Sequence, residues 1–315
     1  MLNNGWIYRE QVNADSAGQS LLDYYAQHYR HSTREEWAER IHAGQIFVNG
    51  VVATAEMLLQ PGQWLAYHRP PWEEEEVPLH FDVLYEDEDL LVIAKPSGLP
   101  VMPGGGFLEH TLLWQLQQRY PDAPPIPVHR LGRGTSGLML LARSPLARRY
   151  LARQMRESTL KTDQSSGLRK TYRALIGASA LDNHTILTYP IGKVPHSILG
   201  YVYAASPEGK PAHSEVQIVR RASDQTLVEV TIRTGRPHQI RIHLAAAGYP
   251  LVGDPLYGVG GVPYDSGHSF GNGKAERSPF PGDCGYYLHA YRLTVPHPRT
   301  GNVLHFCAPP PDVLS

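Results

Sequence analysis

The sequence predicts an α+β protein: a largely antiparallel mixed sheet, preceded by a small helix-plus-hairpin domain. Three observations predict it. β-rich and helical runs succeed one another without a regular βαβ rhythm, which favours α+β over a doubly wound parallel sheet. Near the N-terminus a short helical pattern leads through a glycine into the dipeptide Asn49-Gly50, and a proline- and glutamate-rich stretch separates this unit from the rest of the chain. At 315 residues the chain is long enough for about two domains and a sizeable core.

Residues 1–68 read as the first domain. Ser32 with Glu35 forms a capping box, Trp37 and Ile41 share one helical face four residues apart, and Gly44 stops the helix. Gln45 to Val48 and Val51 to Ala53 then flank Asn49-Gly50, a strong hairpin signal, and a short strand ending at Tyr67 closes the unit. Residues 69–78 read as a linker: Pro70, Pro71 and Pro78 stiffen it, and the run Glu73 to Glu76 repels itself and stays in water. Residues 79–315 form the second domain. Strands are expected at Leu90 to Ala94, Leu138 to Ala142, Thr171 to Ile176, Thr226 to Arg233 and Tyr291 to Val295. Helices are expected at Leu112 to Arg119, Leu146 to Arg156 and His238 to Ala247, and Gly258 to Gly285 reads as a long irregular loop.

Composition excludes several classes. Hydrophobic residues make up 42% and charged residues 19%, the balance of an ordinary soluble protein. No run approaches the roughly 18 apolar residues of a membrane helix. The opening MLNNGWIYREQ lacks the pattern of a secretion signal, so an intracellular, cytoplasmic location without a membrane partner is expected. Cys284 and Cys307 form neither a C-x-x-C pair nor a disulfide framework. His238 and His243 are five apart, and neither H-E-x-x-H nor a Cys/His cluster occurs, so no metal is expected. The net charge of -1 gives no global sign of a polyanionic partner, but its distribution does. No acid lies between Asp122 and Glu157, while Arg130, Arg133, Arg143, Arg148, Arg149, Arg153 and Arg156 do; a second acid-free stretch, Val230 to Gly253, holds Arg233, Arg236 and Arg241.

The densest motif is VHRLGRGTSGLMLLARS. Gly132, Gly134 and Gly137 formally match G-x-G-x-x-G, but prolines precede the segment and a strand comes after it, the reverse of a dinucleotide fingerprint. Gly134-Thr135-Ser136-Gly137 is not a nucleophile elbow either, since its leading glycine stands one position too close. As an RNA-contacting element the segment makes sense. Arginines around a glycine-turned loop hold phosphates, and the strand behind them fixes the loop on a rigid element.

HRLGRGTSG resembles, without a gap, the signature H-R-L-D-x-x-T-S-G of the RluA-like pseudouridine synthases, with Gly132 at the position of the family's catalytic aspartate. Four further blocks resemble that family in order: EDLLVIAKPSGLPVMPG from Glu88, KTYRALIG from Lys170, RTGRPHQIRIHLAAAGYPLVGDPLYG from Arg233, and LHAYRLTVPHP from Leu288. Residues Asp15 to His68 are similar to the alpha-L RNA-binding domain of a ribosomal small-subunit protein, whose helix and hairpin grip RNA backbone. The resemblance implies a pseudouridine synthase catalytic domain that isomerises uridine in structured RNA, rRNA or tRNA, without a cofactor. It leaves the oligomeric state open.

By the same resemblance, Tyr172 lies against the target base and Arg241 pairs with the catalytic carboxylate. Arg130, Arg133, Thr135, Arg236 and His238, with Arg34 and Asn49 of the first domain, contact RNA. Because Gly132 has no side chain, three alternatives stand: a carboxylate from elsewhere, with Asp163 or Glu157 as candidates; a non-catalytic RNA-binding protein of the same fold; or a variant route. Asp254 reads as the cap of a turn. An unpaired Arg241 in a pocket is costly, so another acid or an RNA phosphate is expected within its reach.

Overall fold

The structure is a computed structural model that describes residues 2–160, 167–196, 199–264 and 280–315. The insertion with Asp163 and the middle of the Gly258 to Gly285 segment lie outside the described residues. Backbone contacts divide the chain into two compact units, Met1–Glu74 with Pro195–Tyr201, and Glu75–Val194 with Val202–Ser315.

In the first unit, strand β1 (Trp6–Gln11) is followed by helices α1 (Leu21–His28) and α2 (Arg34–His42), then strands β2 (Ile46–Val48), β3 (Val51–Val52) and β4 (Trp64–Arg69). The sheet runs β1-β4-β2-β3, antiparallel throughout. Leu21, Tyr25, Trp37, Ile41, Ile46 and Leu65 form its core, so the predicted Trp37/Ile41 face is the buried one. The capping box lies one residue later than expected. Thr33 Oγ1 accepts from the Glu36 amide at 3.2 Å and Glu36 returns a bond to the Thr33 amide at 2.7 Å, while Ser32 accepts from Arg40. Adjacent Ser-Thr and Glu-Glu pairs offer the same pattern in two registers, and with Thr33 as cap the core-facing Trp37 starts the second turn. Asn49 and Gly50 both take positive φ, +50° and +82°, the geometry that a two-residue hairpin requires.

Glu73, Glu75 and Glu76 of the glutamate run are exposed, as its charge predicts, but two of the run have specific partners. Glu74 is buried and accepts a 2.6 Å bond from Asn3 Nδ2. Glu75 pairs with Arg133 at 2.9 Å. In each case a partner distant in sequence compensates the carboxylate, which a local charge count cannot anticipate.

The second unit contains β5 (Asp82–Glu86), β6 (Leu90–Lys95), α3 (Leu112–Arg119), β7 (Ile126–Pro127), β8 (Ser136–Ala142), α4 (Pro145–Leu160), β9 (Arg169–Gly177), β10 (His184–Leu187), most of β11 (Ile191–His196) and of β12 (Gly200–Ala205), β13 (Ser214–Arg221), β14 (Gln225–Ile232), α5 (Gln239–Ala246), β15 (Leu288–Pro296) and β16 (Val303–Cys307). Its main sheet runs β10-β13-β14-β9-β15-β8-β6-β5, with β16 on β15 and β7 on β8; β11 and β12 pair separately. The pairing is antiparallel except between β15 and β8. This is the predicted α+β, largely antiparallel architecture. All five expected strands and all three helices are present, with ends moved by a few residues. Helix α4 gains Pro145 because proline is tolerated in a first turn, where Ser144 Oγ accepts from the Ala147 amide at 3.1 Å.

Leu90 to Ile93 of β6 and Leu138 to Leu141 of β8 are buried on both faces, so these runs are continuously apolar rather than alternating. At the parallel junction Ser136 stands opposite His289 and Gly137 opposite Ala290. Gly137 has φ +101°, and a Cβ there would lie 2.3 Å from the Ala290 carbonyl oxygen. Only glycine lets the strands come this close. We expect Gly137→Ala to destabilise the protein by more than about 2 kcal/mol, read as a lowered urea midpoint. Gly177→Ala, at a position with open space around its Cβ, should change stability by less than about 1 kcal/mol.

Candidate active site

A cavity of about 610 Å³ opens beside the β8/β15 junction. Its walls come from residues 100–104, the loop 129–135, Lys170 and Tyr172 of β9, residues 235–241 and the segment before β15. Blocks far apart in sequence thus meet in one place. No aspartate or glutamate is among the described residues that line it.

The loop 129–135 is held from behind by backbone carbonyl bonds. Lys95 Nζ donates to the carbonyls of Pro96 and Leu99 at 2.8 Å and of Arg133 at 3.2 Å. Burial lowers this ammonium to about 7. Ser97 Oγ donates to Gly134 O at 2.8 Å, and the Gly98 amide donates to Arg133 O. Within the signature, each residue of Thr135-Ser136-Gly137 has its own task. Thr135 Oγ1 shares a 3.2 Å hydrogen bond with Tyr286 Oη, Ser136 Oγ meets His289 Nδ1 at 2.8 Å, and Gly137 permits the close strand approach.

Arg241, on α5, is 2% exposed and forms a two-pronged pair with Asp254: Nε to Oδ2 and Nη2 to Oδ1, both 2.7 Å. The expected acid within reach of Arg241 is therefore Asp254. Asp254 is also the turn cap expected of it, since Oδ1 accepts from the amides of Leu256 and Tyr257 at 2.9 and 3.0 Å. Both charges are satisfied, which is what a buried pair requires. The guanidinium carbon stands 4.2 Å from the centre of the Tyr286 ring.

Tyr172 lies on β9 between Val230 of β14 and Ala290 of β15, and burial pushes its phenol up to about 12. It is a neutral aromatic wall at physiological pH. Lys170, two residues earlier, has its ammonium lowered to about 8 by burial, with Nζ 3.0 Å from Met155 Sδ. His129 accepts from the Leu140 amide at 3.2 Å, and burial lowers it to about 3.

The sequence-predicted residues divide into two groups. Gly132, Tyr172, Arg241, Arg130, Arg133, Thr135, Arg236 and His238 all line the cavity. Arg130 is exposed at the rim, Arg133 pairs with Glu75, and Arg236 Nε donates to Pro211 O at 3.0 Å. His238 takes φ +54° ahead of α5 and meets Tyr257 Oη at 2.8 Å. Arg34 and Asn49 belong to the first unit. Arg34 pairs with Asp23 at 2.5 Å and Asn49 Oδ1 accepts from the Trp64 amide at 2.8 Å. Of the proposed substitute acids, Glu157 is not at the cavity: it sits on α4 and pairs with Arg153 one helical turn away. Arg148, Arg149, Arg153 and Arg156 of α4 line a second, shallower hollow.

Sequence reasoning missed Tyr286, Lys170 and His129 as wall residues. His129 and Lys170 belonged to the blocks that carry the family resemblance, and their place beside the positions expected to be catalytic was the available signal. Tyr286 precedes its block by two residues and carried none.

Comparison with known proteins gives this geometry a family. Residues 89–246 match the model described as RNA pseudouridylate synthase. An uncharacterized RNA pseudouridine synthase of Synechocystis sp. is 50% identical over 296 residues, covering 94% of this chain and 96% of its own. RNA pseudouridine synthase 5 of Arabidopsis thaliana is 41% identical, with 99% and 95% covered. A ribosomal large subunit pseudouridine synthase D of Neisseria meningitidis is 36% identical over 75% of this chain and 59% of its own. Among solved structures, human RNA Pseudouridylate Synthase Domain Containing 1 superposes with a TM-score of 0.55 at 22% identity, over 78% of this chain and 89% of that one. The chain belongs to the RNA pseudouridylate synthase family.

The site geometry sets two expectations. Asp254→Ala leaves a buried guanidinium unpaired and should cost about 3 to 5 kcal/mol, measured by chemical denaturation; replacing both partners with apolar residues of similar size should recover most of it. His129 is neutral in the folded protein down to about 3 but protonates at its ordinary value of 6.5 when unfolded. The unfolded state then binds more protons, so this residue's contribution is intact above pH 6.5 and is lost as pH falls towards 3. Melting temperature should decline across that window, and less steeply in a His129→Asn variant.

Proposed function

We propose that the protein isomerises uridine to pseudouridine in structured RNA, rRNA or tRNA, as a cytoplasmic enzyme without a cofactor. One observation carries the reading: Tyr172, Arg241 and the loop containing Gly132 line a single cavity in a chain of this family. The reaction breaks a carbon-nitrogen bond at the ribose and makes a carbon-carbon bond to the same sugar, without change of redox state. A stacked base must first leave its helix, at a cost of about a few kcal/mol.

In this reading Tyr172 stacks on the extruded uracil, an interaction that favours a neutral aromatic face. Arg130, Arg133 and Arg236 hold the flanking phosphates, with Thr135 and His238 beside them. Gly132 stands where the resembled family signature has its catalytic aspartate, so the carboxylate step is served by another group. The first unit acts as an alpha-L type RNA-binding domain through Arg34 and the Asn49 turn. Residues 1–68, 69–78 and 79–315 then correspond to RNA grip, connecting stretch and catalytic domain.

The test is incubation of the full-length protein with unmodified ribosomal and transfer RNA transcripts, counting pseudouridine by mass spectrometry. Wild type should form product and Tyr172→Phe should form less. Absence of product with tight RNA binding would remove the isomerase reading. RNA affinity should fall linearly with salt on logarithmic axes, and Arg130→Ala with Arg133→Ala should reduce the slope by roughly 1 to 2.

A further inference from the structure

Gly132 does not leave empty space. A Cβ built on it would stand 2.7 Å from Tyr286 Oη and 3.5 Å from Thr135 Oγ1, with no other atom of the described residues beyond its chain neighbours within 4 Å. The volume into which a side chain at 132 would grow is thus taken by one phenol oxygen, while the rest of the tyrosine lies farther off. That oxygen lies 3.2 Å from Thr135 Oγ1, and the ring that carries it packs against the Arg241 guanidinium, 4.2 Å from the ring centre. Tyr286 is 4% exposed and lines the same cavity as Gly132, Tyr172 and Arg241. Of Arg241's donors, Nε and Nη2 bond Asp254 and Nη1 reaches Pro281 O at 3.3 Å.

We propose that the Tyr286 hydroxyl replaces a residue-132 side chain in the active site, donating a hydrogen bond to the target uracil as its bond to the sugar breaks. The inference rests on the isomerase reading above. In the step, the C1′–N1 bond breaks and its electron pair stays on the uracil, shared between N1 and the carbonyl oxygens. C1′ becomes an oxocarbenium. The uracil turns, a ring electron pair forms the C1′–C5 bond, the C5 proton passes to solvent water and N1 takes one proton back from solvent, so atoms and electrons balance. Tyr286 keeps its own proton throughout. Burial raises its phenol above the ordinary value despite the opposing influence of Arg241 and Thr135, so a neutral donor is available. A donor aimed at charge that develops only as the bond breaks lowers the barrier more than it tightens substrate binding.

Four proteins test this: wild type, Tyr286→Phe, Gly132→Asp, and the double variant. Each is assayed for pseudouridine on the same ribosomal and transfer RNA transcripts, with RNA affinity and melting temperature as controls for folding. Tyr286→Phe should lower kcat about 100-fold, with KM and RNA affinity within about threefold of wild type. Gly132→Asp should be impaired because its Cβ meets the hydroxyl. Adding Tyr286→Phe removes that atom, so the double variant should be better folded and more active than Gly132→Asp alone. A Tyr286→Phe protein with wild-type kcat overturns the role of Tyr286. A Gly132→Asp protein indifferent to the state of residue 286 overturns the shared-space argument. A wild-type protein that makes no pseudouridine overturns the isomerase reading itself, and this role with it.

Discussion

Between β8 and β15 the main sheet closes through two parallel pairs, Ser136 with His289 and Gly137 with Ala290. Every other strand contact in that sheet is antiparallel. Parallel strands start at the same end, so the segments that lead into them arrive side by side. One is the loop 129–135 and the other carries Tyr286. Without the glycine at 137, a Cβ would meet the Ala290 carbonyl, the strands could not approach, and the two segments would not share a cavity.

Around this junction polar groups are satisfied in pairs that immobilise the walls. Gln239 illustrates the device: its amide oxygen accepts from Thr234 Oγ1 and the Arg236 amide, and its nitrogen donates to His213 O and Ser214 Oγ. A buried side chain whose hydrogen bonds are met fixes the preceding loop without leaving orphaned groups. Asp254 does the same for Arg241 while capping its own turn. The result is an aromatic pocket whose buried arginine is fixed in place by its own hydrogen bonds.

Local pattern was enough to find the elements. The apolar runs Leu90 to Ile93 and Leu138 to Leu141, the Trp37/Ile41 spacing and Asn49-Gly50 each encode their structure over a few residues, because propensity and periodicity act over that range. Where two registers were equally good, as with Ser32-Thr33 and Glu35-Glu36, the core position of Trp37 decided between them. The glutamate run shows the opposite limit. Glu74 and Asn3 are far apart in sequence, and so are Glu75 and Arg133; a hydrogen bond in the first case and an ion pair in the second give these carboxylates partners that no local reading supplies.

The sequence by itself determined the α+β class and the segments that line the cavity, including the glycine at 132, since those depend on residue identity and short-range spacing. Only the tertiary structure decided which acid faces Arg241 and which atom fills the space beside Gly132. Asp254 and Tyr286 reach those places through turns and a strand junction formed by residues remote from them. Neighbours of this kind are set by the packing of the whole sheet, to which no local window has access.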